Sequence, residues 1–225
     1  MDKRIRIGLT LVKGSWTSPE SAPWFFASWE KERYCSLRSG PARTRFLTGR
    51  LLVRRQLSQL CHGVVAPTKW RFCCNRYGRP DLDPAHHGKK LSFGLSYSGP
   101  LVLAAVSADG PVGVDVESLD QGGDIHIQAV LSRDEQAYLA ALESRERRSA
   151  TLALWTAKEA VAKMTGLGFS LDFSSFSCLP LQRPVFHDQI RNSVRLQSRH
   201  IEIKQFYLSL PGGRYCCSLA VSPAD

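Results

Sequence analysis

The chain has 225 residues, of which 43% are hydrophobic, and a formal net charge of +10. That length suits one large domain or two of about 110 residues, and the hydrophobic content excludes wholesale disorder. Apolar runs are far shorter than the roughly 20 residues of a membrane helix, and the N-terminal MDKRIRIGLTLVKG lacks the apolar core of a signal peptide. We therefore expect a soluble cytoplasmic protein.

The positive charge is concentrated in residues 31–80. This segment holds twelve Lys or Arg residues and a single acid, Glu32, which gives it a charge of +11 and leaves −1 for the remainder. A local basic excess indicates a polyanionic partner, such as nucleic acid, a phosphorylated cofactor or an acidic protein. Solubility alone is the simpler alternative.

Cysteine usage indicates a reducing compartment. The chain has seven cysteines, an odd number, with two pairs adjacent in sequence. Neither a C-x-x-C spacing nor a paired Cys/His spacing typical of zinc occurs. We expect reduced thiols that are partly buried.

The first half of the chain reads as one helix followed by strands. RTRFLTGRLLVRRQLSQL, residues 43–60, predicts a long basic helix, and the turn-rich residues 75–90 predict an exposed loop. The strand-like runs LSFGLSY, LVLAAVSA and VGVDVES follow, separated by Gly-Pro pairs.

The second half repeats this mixture of helix and strand. Residues 128–165 favour helix, with a break near ESRERR, and the C-terminal third predicts four strands: FSCLPL, SVRLQS, HIEIKQFYLSL and RYCCSLAVS. We therefore predict an α+β fold with antiparallel sheets, divided into residues 1–112 and 113–225.

The helix LWTAKEAVAKMTGLG, residues 154–168, has two contrasting faces. At 100° per residue a stripe of apolar residues faces the core: Ala153, Ala157, Ala160, Val161 and Met164. The opposite side carries Trp155, Lys158, Glu159 and Lys163. A solvated surface explains the charges, whereas an exposed Trp usually has a partner or ligand. Both a plain surface and a working site remain open from this helix alone.

Two further stretches carry polar side chains suited to chemistry. In VGVDVES, the period of two places Asp115 and Glu117 on one face, where oxygen ligands suit Mg²⁺; an edge strand with solvated acids is the alternative. The turn after FGLSYSG offers hydroxyls and backbone N–H groups that can hold phosphate oxygens. It fails as a G-x-S-x-G nucleophile elbow, because Ser98 stands at the final position.

The combination of these motifs resembles the Sfp-type 4′-phosphopantetheinyl transferase family. The family pattern is a G-[KR]-P segment, an S-H-S turn, a G-[IV]-D-[IV]-E strand and W-x-x-K-E-x-x-x-K before glycines. This chain has Gly78-Arg79-Pro80, Ser96-Tyr97-Ser98, GVDVE at 113–117, and Trp155 to Lys163. The resemblance extends from about residue 30 to 172.

This resemblance implies a fold and a reaction. Two similar α+β halves would form an intramolecular pseudo-dimer, with coenzyme A in the cleft between them. The N-terminal half, 1–112, would carry the basic coenzyme A-binding segment, and 113–225 the metal-binding and catalytic residues. The enzyme would transfer 4′-phosphopantetheine from coenzyme A to a serine of an apo acyl or peptidyl carrier protein, releasing adenosine 3′,5′-bisphosphate.

The resemblance also implies roles for individual residues. Asp115, Glu117 and Glu159 would hold Mg²⁺, or alternatively Mn²⁺, which neutralises phosphate charge. Coenzyme A would contact a set of eight residues: Lys31, Arg45, Arg79, Ser96, Tyr97, Trp155, Lys158 and Lys163. Lys31 and Arg45 would meet the 3′-phosphate.

Catalysis would rest on Glu159, Lys163 and Asp115. Glu159 would also take the serine proton, although a metal-bound carboxylate is a poor base and a metal-bound water is an alternative. Trp155 would pack beside the cleft and orient Glu159. The basic segment would face an acidic carrier. Fatty-acid, polyketide and peptide synthase carriers all fit, and a chain that holds both halves is expected to act as a monomer, without membrane or nucleic-acid partners.

One residue departs from the pattern. Tyr97 stands where the family usually has His, and at neutral pH tyrosine offers only a neutral donor. Either coenzyme A binds more weakly or a nearby Arg supplies the charge. A catalytically weak or inactive coenzyme A- or carrier-binding homologue is therefore one alternative. A basic nucleic-acid-binding protein, with Trp70, Phe72 and Tyr77 among the basic residues, is another.

Overall fold

A computed structural model describes residues 5–12, 22–87, 90–120, 127–179, 190–196 and 199–222, without the side chains of 86, 87, 169, 190–195 and 199. The chain divides into two compact units, Met1–Pro111 and Val112–Asp225. The mixture of helix and antiparallel sheet in each unit confirms the predicted α+β class.

Unit 1 combines a three-stranded sheet with a long helix. Its elements are β1 (Ile5–Leu11), α1 (Ser28–Ser36), α2 (Gly40–Leu60), β2 (Phe72–Cys74), β3 (Pro80–Leu82), α3 (Pro84–His87), β4 (Ser92–Ser98) and β5 (Leu101–Ser107). The sheet order is β1-β5-β4, and β2 pairs with β3 separately; every pairing is antiparallel.

Helix α2 is the predicted basic helix, and it packs on the sheet of unit 1. It begins where the Ser39 hydroxyl accepts a hydrogen bond from the Ala42 N–H, as N-cap residues do. Val53 and Leu57 of α2 are fully buried in a core with Ala104 and Val106 of β5. The core side of this sheet therefore lies under α2.

Part of the basic segment is internal. Arg43, Arg50 and Arg54 of α2 are buried, as are Trp70 and Phe72. Burial removes these three guanidinium groups from the exposed surface, so the exposed basic surface is smaller than the sequence count suggests. The two buried aromatics are also withdrawn from any nucleic-acid stacking platform.

Unit 2 combines a four-stranded antiparallel sheet with two helices. Its elements are β6 (Val112–Ser118), α4 (Arg133–Ala140), α5 (Ser144–Thr165), β7 (Ile190–Leu196), β8 (Arg199–Leu210) and β9 (Gly213–Val221). The strand order is β6-β9-β8-β7. The predicted break between the two helices lies between α4 and α5.

Helix α5 is the central packing element of unit 2. Ala157, Ala160, Val161 and Met164 of the predicted stripe join the main core together with Leu154. The fifth predicted residue, Ala153, is also buried, but it packs in a separate cluster with Tyr207 and Cys216. The helix ends at Gly166, whose φ of 75° is left-handed and whose N–H donates to the Ala162 carbonyl. This is the glycine stop that the sequence predicts.

Several elements differ from the sequence prediction. Strand β1 and helix α1 were not predicted, and β3 and α3 lie within the predicted loop at 75–90. The strand predicted for FSCLPL is wrong over 176–179, where the described backbone is irregular and follows the 3₁₀ turn Phe173–Ser175; residues 180 and 181 lie outside the described residues. Phe176 and Cys178 are buried there because this backbone supplies partners to buried charges.

All seven cysteines are free thiols, as predicted. In the part of the chain that the structure describes, no helix is both long enough and apolar enough to cross a membrane.

Candidate active site

Strand β6 presents its acidic face to helix α5. A Cβ atom added at Gly113 would collide with the Ala160 carbonyl oxygen and the Met164 backbone nitrogen, and it would lie 3.0 Å from Met164 Cα. Gly113 therefore permits the close approach of strand and helix. Asp115 and Glu117 share its strand parity, so both carboxylates lie on the side of α5.

Asp115 is paired with Lys163 of α5. Lys163 Nζ donates to Asp115 Oδ1 at 2.5 Å, and the two side chains are 30% and 5% exposed. A partly buried pair of this kind is screened less than a surface pair. The ammonium of Lys163 thus neutralises the more buried of the two strand carboxylates.

Glu159 of α5 joins the same charged group. Burial raises the pKa of Glu159, Lys163 opposes that shift, and the negative charges of Asp115 and Glu117 add to it. The three carboxylates and Lys163 therefore form one electrostatic group, which we call the acidic cluster. A half-buried carboxylate whose pKa is raised is more basic than an ordinary glutamate.

The acidic cluster fits a hard divalent cation by ligand type. Its donors are carboxylate oxygens, which Mg²⁺ prefers, and its net charge of three acids and one base is negative. Among the described residues, however, no three His, Cys, Asp or Glu side chains are arranged closely enough to hold a metal ion. Lys163 meanwhile contacts Asp115. The ligand types are present, but a ligand set is not preformed.

The predicted orientation of Lys158 is wrong. Lys158 is completely buried, and its Nζ lies 2.8 Å from Glu135 Oε2 of α4 and donates at 2.7 Å to the carbonyls of Phe173 and Phe176. With these acceptors its ammonium is fully engaged inside unit 2. The described structure therefore contradicts its prediction as a coenzyme A phosphate ligand.

The partner Glu135 is equally engaged. Its Oε2 accepts from the Ser132 N–H in a capping box, and its Oε1 accepts from the Cys178 N–H, both at 2.8 Å. We call Lys158, Glu135 and the backbone groups they bind the buried staple. The buried staple holds residues 173–178 against α5. These residues therefore cover Lys158, which the sequence had placed on the side of the helix away from the core.

Trp155 is half-buried rather than free. It packs against the main core of unit 2, with its ring 6.3 Å from that of Phe173. Core packing is thus sufficient to explain why a Trp stands at position 155. The sequence alone did not predict this packing, because it placed Trp155 on the face opposite the core. Its predicted contact with coenzyme A stays a prediction.

In unit 1, the S-Y-S segment divides between two faces of strand β4. Tyr97 shares strand parity with Phe93 and Leu95 of the core under α2, whereas Ser96 is buried on the other face. Arg79 donates from Nη2 to the Phe93 carbonyl at 3.0 Å. Burial lowers the pKa of Arg79. Arg79 therefore stabilises strand β4 through a hydrogen bond within unit 1.

Tyr97 reaches the backbone of α2 at Gly49. A Cβ atom at Gly49 would collide with the Tyr97 hydroxyl and lie 2.9 Å from its Cζ atom. Burial raises the pKa of Tyr97 to about 12, although Arg50 and Arg45 act to lower it. The hydroxyl is therefore neutral at physiological pH and able to donate. Of the two predicted 3′-phosphate residues, Arg45 is half-buried near Tyr97 and Lys31 is exposed on α1.

Three features of these sites were missed in the sequence: Gly113 as a packing contact, Glu135 as the partner of Lys158, and the buried arginines of α2. The burial of these arginines could have been predicted from the sequence. Arg43, Leu47, Arg50, Arg54 and Leu57 follow a helical spacing of three and four, so the apolar stripe of α2 contains arginines.

Comparison with known proteins agrees with this fold and cluster. Residues 111–220 match the family model of the 4′-phosphopantetheinyl transferase superfamily, and this segment contains the whole acidic cluster. The region is therefore a domain of that superfamily, which confirms the resemblance seen in the sequence.

Curated relatives carry the same family name. The chain is 36% identical over 135 residues to the 4′-phosphopantetheinyl transferase psf-1 of Bacillus pumilus, covering 59% of this chain and 54% of the relative. It is 31% identical over 129 residues to AcpT of Salmonella typhimurium (56% and 61%) and 32% identical over 131 residues to HetI of Nostoc (57% and 54%), both also named 4′-phosphopantetheinyl transferases. The matches thus span little more than half the length of these relatives.

Proposed function

We propose that this protein transfers the 4′-phosphopantetheine group from coenzyme A to a serine hydroxyl of an apo carrier protein, in a reaction that requires Mg²⁺. The observation that carries the proposal is the acidic cluster of Asp115, Glu117, Glu159 and Lys163, inside a superfamily-matched domain. The relatives' names support the same activity.

The acidic cluster supplies the groups that the transfer needs. Asp115, Glu117 and Glu159 would hold Mg²⁺, with Mn²⁺ as an alternative, and the bound ion would neutralise charge on the diphosphate of coenzyme A. Lys163, which is partly exposed, can present its ammonium to a phosphate oxygen. Glu159 has a raised pKa and can accept the proton of the attacking serine.

Recognition of coenzyme A is assigned to unit 1 together with the acidic cluster. Arg45, Lys31 and Tyr97 supply cations and a neutral donor for phosphate oxygens, and Arg79 and Ser96 stay in the proposed set. Arg79 already donates a hydrogen bond to β4, and Ser96 is a buried residue of that strand. The proposal includes an intramolecular pseudo-dimer of the two units, and hence a monomeric enzyme.

The exposed basic residues of unit 1 suit an acidic carrier. Lys31 is exposed on α1, and Arg76 is exposed beside Tyr77, with its guanidinium 4.8 Å from the ring centroid. Such charges speed encounter with a partner of opposite sign at low salt. The carrier is therefore proposed to be an acidic acyl or peptidyl carrier domain, without a choice among pathways.

The activity is tested by intact-mass measurement of several apo carrier proteins. Each is incubated with coenzyme A and Mg²⁺, and we expect at least one to gain the mass of a single phosphopantetheine arm. The gain should vanish with Glu159→Gln and persist with Glu143→Gln, a control at the exposed start of the same helix. A wild-type protein that binds coenzyme A but modifies no carrier would instead identify an inactive homologue.

A further inference from the structure

A charged group inside unit 1 has an excess of positive charge. Glu30 of α1 is completely buried, and Arg54 of α2 donates to its Oε1 and Oε2 at 3.1 and 2.7 Å. A second buried arginine, Arg50, faces the same carboxylate, with Nε 3.6 Å from Oε1. Two guanidinium groups thus share one carboxylate whose oxygens already accept from Arg54.

Arg50 is the less satisfied of the two arginines, since among the described residues Arg54 lacks a hydrogen-bond partner at its Nε alone. The residue is only 4% exposed, and within the described part of the chain neither its Nε nor its Nη1 has a hydrogen-bond partner. Its guanidinium lies 5.0 Å from the Trp29 ring and 4.9 Å from the Phe46 ring. Aromatic faces offset part of the charge, but they do not replace the missing acceptors.

The neighbours of Arg50 connect it to the surface. Burial lowers the pKa of Arg50, and the nearby Tyr97 and Cys74 raise it. Tyr97 is 37% exposed, and Cys74 is also exposed. The Tyr97 hydroxyl contacts α2 at Gly49, the residue directly before Arg50. Tyr97 therefore lies between a buried cation and solvent.

We propose that Arg50 is an anion-binding residue that, together with the Tyr97 hydroxyl, holds a phosphate group of coenzyme A. This rests on the proposed function and deepens it. An arginine fork matches a phosphate in geometry and charge, and a bound phosphate would supply the acceptors that Nε and Nη1 lack. Arg50 thereby provides the charge that an imidazole at position 97 would provide.

The test is calorimetric binding of coenzyme A without any carrier, so that it does not depend on transfer. Arg50→Gln should weaken binding about tenfold or more, since charge-assisted hydrogen bonds are lost. Arg55→Gln, which removes an exposed arginine of the same helix, should bind as the wild type does. In the Arg50→Gln background, Tyr97→His should restore binding at a pH below the imidazole pKa and not above it.

Thermal unfolding separates this role from a structural one. Because Arg50 has unmatched buried charge, Arg50→Gln without ligand should be at least as stable as the wild type, while the stabilisation by added coenzyme A should shrink. An unfolded or destabilised Arg50→Gln protein, or one that binds coenzyme A normally, would overturn the inference. If the wild type itself does not bind coenzyme A, the proposed function fails as well, which distinguishes the two failures.

Discussion

Replacing Lys158 with methionine should destabilise the protein without removing a phosphate contact. Methionine keeps the length of the apolar stem but removes the ammonium. The change leaves Glu135 as a buried carboxylate without its cation, and the carbonyls of Phe173 and Phe176 lose a donor. Removing one partner of a buried ion pair costs about 3–5 kcal/mol, a large share of the roughly 5–15 kcal/mol that stabilises a folded domain.

The assay is chemical denaturation of Lys158→Met, Glu135→Gln and the double variant. Because the two groups are partners, the double variant should lose less stability than the sum of the single losses. Arg145→Met is the matched control: it removes an exposed cation from the same helix, 84% exposed in its pair with Glu143, and should leave the unfolding midpoint unchanged.

The alternative outcome is equally clear. If Lys158 were a phosphate ligand, Lys158→Met would unfold at the wild-type denaturant concentration and bind coenzyme A more weakly. That result would refute the buried staple as described here. The structure instead predicts a lower midpoint and, for the protein that remains folded, wild-type affinity for coenzyme A.

Three further predictions concern Gly113, Glu159 and Tyr97. Gly113→Ala should cost about 1–3 kcal/mol in the free energy of unfolding, because its Cβ meets backbone atoms of α5 that have no rotamer to change; wild-type stability in denaturation would contradict this. Since the pKa of Glu159 is raised by burial, the folded state favours its protonated form, and stability falls as pH rises above about 4.3 towards the folded pKa. Glu159→Gln should flatten that part of the stability profile relative to the wild type, and an unchanged profile would exclude the shift. Tyr97 should ionise at about pH 12, and stability should fall from about pH 10 up to that value, because the hydroxyl is enclosed against Gly49 although the residue as a whole is 37% exposed. The difference in tyrosinate absorbance between wild type and Tyr97→Phe measures this ionisation, and a value near pH 10 would contradict enclosure of the hydroxyl.

Short-range patterns predicted much of the fold correctly. The spacing of Ala157, Ala160 and Val161 placed the core face of α5, and Gly166 placed its end, because helical geometry repeats locally and glycine tolerates a left-handed φ. Strand β1 was not recognised because its short IRIGLTL run carries charge and lies far in sequence from β5, its partner. Pairing with a distant strand leaves little local trace.

Periodicity and side-chain chemistry were enough to predict the α+β class, the long helices, and the acids and Lys163 that form the acidic cluster. Which cations are available for a ligand depends on the tertiary fold. Lys158 looks like a surface charge in its helix, whereas Arg50 follows the spacing of the apolar stripe of α2. In the described structure Lys158 is paired with Glu135, and Arg50 has two donors without a hydrogen-bond partner. The burial of a charged side chain and the identity of its ion-pair partner depend on segments that are remote in the chain. A local sequence pattern therefore does not distinguish a charge that is already paired from one that has unsatisfied donors.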